Sequence, residues 1–150
     1  MKGFTLIELL LSLAIVGILV AVGVTSFSAQ NRGETLQQEA DKIVSLLGAA
    51  RADTLAAREG TQYGIHFEEQ RAVLFSGAAY SASAAGNRAQ ALHREVKISA
   101  ISLFGGGSEV FFQKLTGKTA QSGTVTLSLV SDASKTKVIT IAGTGVAYSN

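Results

Sequence analysis

Residues 2–24 read KGFTLIELLLSLAIVGILVAVGV. The stretch resembles a membrane helix with one residue out of place: Glu8, near the start of the apolar run. From Leu9 to Val24 only Ser12 is polar, and only Gly17 and Gly23 weaken a helix. Counted from Phe4, the run is about 20 residues, enough to cross a hydrocarbon core. Three uses compete for it. It is a plain single-span anchor, or a secretory signal peptide with Lys2 as its charged end and a cut near Ser28 or Ala29, or a segment that rests in the bilayer and later leaves it for a protein assembly. A carboxylate deep in a span costs about 2.5–3.5 kcal/mol, and less near the end. Neither an anchor nor a signal peptide gains from it, so Glu8 favours the third use.

The helical pattern continues past the apolar run. Leu36, Ala40, Ile43, Leu47, Ala50, Thr54 and Ala57 recur at steps of four and three, one stripe of an amphipathic helix. Gln37, Glu39, Asp41, Lys42, Arg51 and Asp53 fall mostly off that stripe. No proline interrupts, "QNRGE" around Gly33 is a soft point, and Gly60 is a stop signal. The pattern predicts one long helix from about Phe4 to about Glu59. Its first half is apolar all round, and its second half is one-sided and has to pack on the rest of the chain.

Beyond Gly60 the period changes to two. "TQYGIHF" sets Tyr63, Ile65 and Phe67 against Gln62, Gly64 and His66, and "RAVLFS" follows after "EEQ" as the second strand of a hairpin. "VKISAISL" alternates Val96, Ile98, then Ala100 or Ile101, and Leu103, with a slip of register in the middle. "EVFFQ", "GTVTLSLV", "TKVITIAG" and "GVAYS" complete the set, and the last three read as an antiparallel meander. The stretch from Gly77 to about His93 is poor in large apolar residues and reads as a mobile surface loop. Phe67, Phe75, Phe111 and Phe112 read as core or sheet-face residues.

Composition narrows the function. The chain has 150 residues, a net charge of +2 and no cysteine. That suits one small domain with an appendage. Scattered basic residues give no argument for nucleic acid, and the missing thiols exclude disulfides and zinc–thiolate sites. His66 falls on the polar face of its strand and His93 in or beside the loop, without a ligand cluster around them. "TGKT" at Thr116–Thr119 has Phe112 where a phosphate loop needs its first glycine, and "GTG" at Gly143–Gly145 precedes a strand, so both read as turns. No G-x-S-x-G occurs and no acid pair has a pocket around it. No catalytic residue, metal site or cofactor is expected.

The segment KGFTLIELL resembles the class III signal of the type IV pilin and type II secretion pseudopilin superfamily. "LLGAARADTLAAREGTQYGIHF", "EVFFQKLTGKTAQSGTVTLSLV" and "KVITIAGTGVAYS" resemble the GspH/FimT-like minor pilins and pseudopilins within it. The resemblance implies cleavage between Gly3 and Phe4 by a prepilin peptidase, N-methylation of Phe4, and subunit registration through Phe4 and Glu8. It divides the chain into a leader (1–3), a transmembrane and assembly half of the helix (4–30) and an extracytoplasmic domain (31–150). The fold class it implies is α+β, a long N-terminal helix packed on an antiparallel sheet of about five to seven strands. The implied partners are other pilin or pseudopilin subunits, the prepilin peptidase, an inner-membrane assembly platform and, before assembly, the lipid bilayer. The placement is single-pass in the inner membrane with a cytoplasmic N-terminus, then pilus or pseudopilus. A major pilin and a membrane-tethered binding module stay open as alternatives. Many pilins carry a proline in the membrane half of the helix, and this chain has none.

That resemblance also accounts for Glu8. Cleavage after Gly3 removes Lys2 and creates a basic amine on Phe4. An ammonium and a carboxylate about 4 Å apart gain on the order of 4 kcal/mol at an effective dielectric near 20. This offsets much of the insertion cost. Within one helix Phe4 and Glu8 would also form an i,i+4 pair.

Overall fold

The computed structural model describes residues 3–56 and 58–150, apart from the side chains of residues 22–30 and 58. Ala57, the last residue of the expected stripe, lies outside this set. The chain divides into two compact units, Met1–Glu34 and Thr35–Asn150. Helix α1, Leu6–Leu55, contributes to both.

In the second unit the expected stripe is the buried face of α1. Leu36, Ala40, Ile43, Leu47 and Ala50 are all core residues, and Thr54 is buried below them. Glu39 departs from the expected pattern. It is 2% exposed rather than off the stripe, and its Oε1 accepts from Lys42 Nζ at 2.7 Å. The helix ends at Leu55, ahead of the expected Glu59. Thr54 explains the early end: its hydroxyl donates to the Ala50 carbonyl at 2.8 Å and accepts the Tyr63 N–H at 2.9 Å. The chain must therefore turn back within a few residues. It does so through the 3-10 turn Arg58–Gly60, with Glu59 at φ 54° and Gly60 at φ 66°.

Among the described residues eight strands follow, in two four-stranded antiparallel sheets rather than one sheet of about five to seven strands. They are β1 (Tyr63–Glu68), β2 (Arg71–Ser76), β3 (Arg88–Ala91), β4 (Val96–Leu103), β5 (Glu109–Phe111), β6 (Gly123–Leu129), β7 (Thr136–Ile141) and β8 (Ala147–Ser149). The first sheet runs β3-β2-β1-β5 and the second β4-β6-β7-β8. The β1–β2 hairpin pairs Glu68 with Arg71 at its tip. The slip expected in VKISAISL is a bulge between Ile98 and Ala100. After the exposed Ser99 and Ala100 it carries Ile101 and Leu103 back to the core side. The meander β6-β7-β8 stands as expected.

One core serves both sheets. Ile65, Phe67, Leu74 and Val110 come from the first sheet, and Val96, Val125, Leu127, Ile139 and Ile141 from the second, all packed with the α1 stripe in one cluster. Polar ties join α1 to both sheets. Thr54 holds β1, while Gln37 Nε2 donates to Ser149 Oγ at 3.4 Å and Ser149 Oγ donates to Asp41 Oδ1 at 3.2 Å.

The loop expected from Gly77 to His93 is shorter. Its last part is β3, paired with β2 from Arg88 to Ala91, and Leu92 behind it is buried. β3 reads RAQA and is an edge strand with mostly exposed side chains. No apolar alternation marks it, so only backbone pairing reveals it.

Two measurements check this packing. In a fragment starting at Thr35, Ile43→Ala or Leu47→Ala should each lower urea-unfolding stability by roughly 2–4 kcal/mol. Gly145→Ala should cost about 2 kcal/mol or more, because Gly145 has φ 82° and a Cβ there would collide with the Gly117 carbonyl oxygen.

Candidate functional site

The first unit presents the start of α1. Thr5 caps it: the Glu8 N–H donates to Thr5 Oγ1 at 3.4 Å and the Leu9 N–H to the Thr5 carbonyl at 3.2 Å. Glu8 is thus at the third helical position, where a carboxylate meets the positive end of the helix dipole. Ser12 Oγ donates to the Glu8 carbonyl at 2.7 Å. Gly3 and Phe4 precede the helix, with Phe4 84% exposed. Phe4 is therefore outside the helical turn, and the i,i+4 geometry expected between Phe4 and Glu8 within one helix is not present. Thr5 is the residue that the reading of the apolar run passes over. Its signal is T-x-x-E directly ahead of that run.

From Leu6 to Val20 every large apolar side chain is exposed, on all sides of the helix. Water is a poor solvent for such a surface, which calls for apolar surroundings on every side. Among the described residues no helix is long and apolar enough to cross a membrane. The span counted in the sequence, 4–30, runs into residues 22–30, whose side chains lie outside the described set.

A second cluster lies on the first sheet, on the face turned from the main core. Val73 and Phe75 are buried there, outside the cluster that contains Ala72 and Leu74. Residues 77–87 cover them. Tyr80 stacks on His66 at 3.9 Å between ring centres and meets Phe75 edge-on at 5.6 Å. Phe75 and Phe111 meet edge-to-face at 5.6 Å across Gly64, where a Cβ would strike both rings. His66 Nδ1 is 3.2 Å from Glu109 Oε1, and the Tyr80 hydroxyl donates to Glu68 Oε1 at 3.3 Å. Arg71 donates to both Glu68 oxygens, at 2.8 and 3.0 Å, and these bonds hold the Glu68 carboxyl below its ordinary value of 4.5. His66 is thus a packed partner rather than the solvated side chain the alternation predicts. The segment is also bonded internally, with Asn87 Nδ2 donating to the Ser81 carbonyl at 2.7 Å.

The remaining sequence candidates are structural. His93 is exposed and its Nδ1 accepts the Glu95 N–H at 3.3 Å. Thr116–Thr119 and Gly143–Gly145 are turns that abut each other: the Thr119 N–H donates to the Gly143 carbonyl at 3.1 Å. Arg51 Nε braces the first of them through the Gly117 carbonyl at 3.1 Å. Among the described residues no group of three or more His, Cys, Asp or Glu is placed to hold a metal ion.

Comparison with known proteins adds to both units. Residues 1–24 match the family described as the prokaryotic N-terminal methylation motif. No curated protein matches the sequence. Among solved structures, the type IV minor pilin FimU of Pseudomonas aeruginosa superposes with a TM-score of 0.58 at 15% identity, over 77% of this chain and 92% of that one. At that identity the likeness is one of fold. The chain thus carries a prepilin-type N-terminal motif on a pilin fold, α+β with a long N-terminal helix.

The Glu68–Arg71 pair sets a pH dependence. A carboxyl held below its ordinary value in the folded state stabilises above that value, and the contribution disappears as pH falls through its folded value. Wild type and Glu68→Gln should therefore differ in urea midpoint above about pH 5 and converge in stronger acid. The difference should be small, because the pair is exposed. A constant difference across that range would show that the variant acts through something other than the ion pair.

Proposed function

We propose that the chain is a structural subunit of a type IV pilus or a type II secretion pseudopilus, of the minor GspH/FimT-like kind. A prepilin peptidase would cut it between Gly3 and Phe4 and methylate the Phe4 amine before assembly. The observation that carries this reading is the start of α1: an apolar surface exposed on all sides from Leu6 to Val20, headed by a capped turn that contains Glu8. Such a surface suits two environments in succession, the bilayer and then a bundle of like helices. The inner membrane holds the first, with the N-terminus cytoplasmic and the domain outside.

Glu8 gives the transfer its direction. In lipid its charge is costly. Against a neighbour's Phe4 amine the same charge is paired in a dry environment, where the attraction is strong. The domain, built on a core of its own, needs no other subunit to bury its apolar stripe. The role has no catalytic step, and the chain is the substrate of the enzyme that processes it.

Intact-mass measurement and N-terminal sequencing of membrane-derived protein should find a chain starting at Phe4 with one added methyl group. A start near Ala29 would instead mark a secretory signal, and an uncut Met1 a plain anchor. Glu8→Gln should be cleaved normally yet enter sheared filaments about tenfold less than wild type, the equivalent of one lost interaction of 1.4 kcal/mol. Wild-type assembly of the Gln variant would remove charge pairing as the reason for Glu8.

A further inference from the structure

The turn between β4 and β5 helps to form a pocket that the subunit reading does not use. Its volume is about 310 Å³, at the low end of the range for small-ligand sites. Phe104, Phe111, Glu109 and Gln121 line it, and the glycine run 105–107 forms part of the wall. The three glycines have φ of 84°, 76° and 84°, where a side chain is strained, and a Cβ on any of them would meet only open space. That part of the wall is therefore bare backbone. Phe104 beside it is 74% exposed.

The lining groups are held from behind. The Phe104 N–H donates to the Ser122 carbonyl at 2.7 Å, which ties the ring's backbone next to Gln121. The Phe111 ring rests edge-to-face on Phe75 at 5.6 Å. Gln121 Oε1 accepts from the Phe111 N–H at 3.4 Å and from the Thr119 hydroxyl at 3.2 Å. Its amide is thus fixed at the oxygen end, and the two Nε2 hydrogens remain as donors. Glu109 is fixed in the same way. Its Oε1 lies 3.2 Å from His66 Nδ1, and a carboxylate has about four acceptor positions, so most of them remain.

The result is two phenyl rings beside one anchored donor and one anchored acceptor. A wholly apolar ligand would desolvate the polar pair without replacing its hydrogen bonds. A wholly polar one would leave the rings unused. A pyranose ring satisfies both demands. One of its faces carries C–H bonds that suit the negative face of an aromatic ring, and its rim carries hydroxyls that donate and accept. Glu109 is the one charged group in the lining, so an anionic sugar is disfavoured.

We propose that this pocket binds a neutral saccharide, with one ring stacked on Phe104 and its hydroxyls bonded to Gln121 Nε2 and Glu109. A free sugar and a unit within a polysaccharide present the same ring. The site is built within the second unit alone, so it stands whether or not the filament reading holds.

The test uses the full-length chain in phosphocholine micelles, a detergent without a sugar head group. It is applied to immobilised hexamers of glucose, galactose, N-acetylglucosamine and galacturonic acid. At least one neutral hexamer should bind with a Kd of about 1 mM or tighter, and about tenfold better than the galacturonic acid hexamer. Phe104→Ala should weaken binding about tenfold, the scale of one aromatic anchor, while Phe104→Trp should retain it. Gln121→Glu keeps an oxygen for the Phe111 N–H but loses the donors, and should also weaken binding about tenfold. Leu115→Ala, at an equally apolar position 93% exposed and outside the pocket, should change nothing. Competition by a free methyl glycoside would support a single ring as the ligand, and competition by the soluble hexamer alone would support a chain. Failure to bind any neutral hexamer, full binding by Phe104→Ala, or equal losses in Phe104→Ala and Leu115→Ala would each overturn the proposal. Retention of indole without any sugar would also overturn it, by assigning the pocket to an apolar ligand.

Discussion

The domain depends on one constraint, the burial of a single helical stripe by two sheets at once. Leu36, Ala40, Ile43, Leu47 and Ala50 are nearly or completely inaccessible, and the core around them takes side chains from both sheets. Two alanines, Ala40 and Ala50, are interspersed among the large residues of that stripe. The alanines leave room for sheet side chains, and the leucines and isoleucine fill the space between them. The helix stripe and the apolar faces of both sheets thus share a single cluster. Removing a methylene from the stripe therefore affects both sheets.

The first sheet carries a second, smaller burial on its other face. β2 reads AVLF without alternation because it is covered on both sides. Ala72 and Leu74 face the helix. Val73 and Phe75 face the 77–87 segment, which is held down by one ring, Tyr80 on His66. The segment joins the domain through the Tyr80 ring, stacked on His66 and edge-on to Phe75, and through the hydrogen bond from its hydroxyl to Glu68.

How much was legible in the sequence follows from these particulars. The stripe, the β1–β2 hairpin, the bulged β4 and the closing meander were readable because each is a periodic apolar pattern with one dry face. β3 was not, since an edge strand reading RAQA buries almost nothing and is defined by backbone pairing. Glu39 was misplaced because its carboxylate is buried with Lys42 as local partner, and polarity alone sends such a residue outward. The packing of His66 under Tyr80 depends on a loop returning over the sheet, which no spacing reveals. At the N-terminus the apolar run and Glu8 were legible. The cap was also present, as T-x-x-E, and it moves Phe4 out of the helical turn.

The tie between α1 and β8 bears on how the domain is completed. Asp41 and Ser149 are 108 residues apart in the chain, yet they share a hydrogen bond. β8 also closes the edge of the second sheet beside β7. The contact has high sequence separation, so the entropy of closing that long loop must be met before the bond forms. A chain synthesised from its N-terminus has its helix long before its last strand. Until β8 arrives, the β7 edge stays open to foreign strands. The domain's most vulnerable interval is thus the final stage of its own synthesis, and Ser149 is part of the latch that ends it.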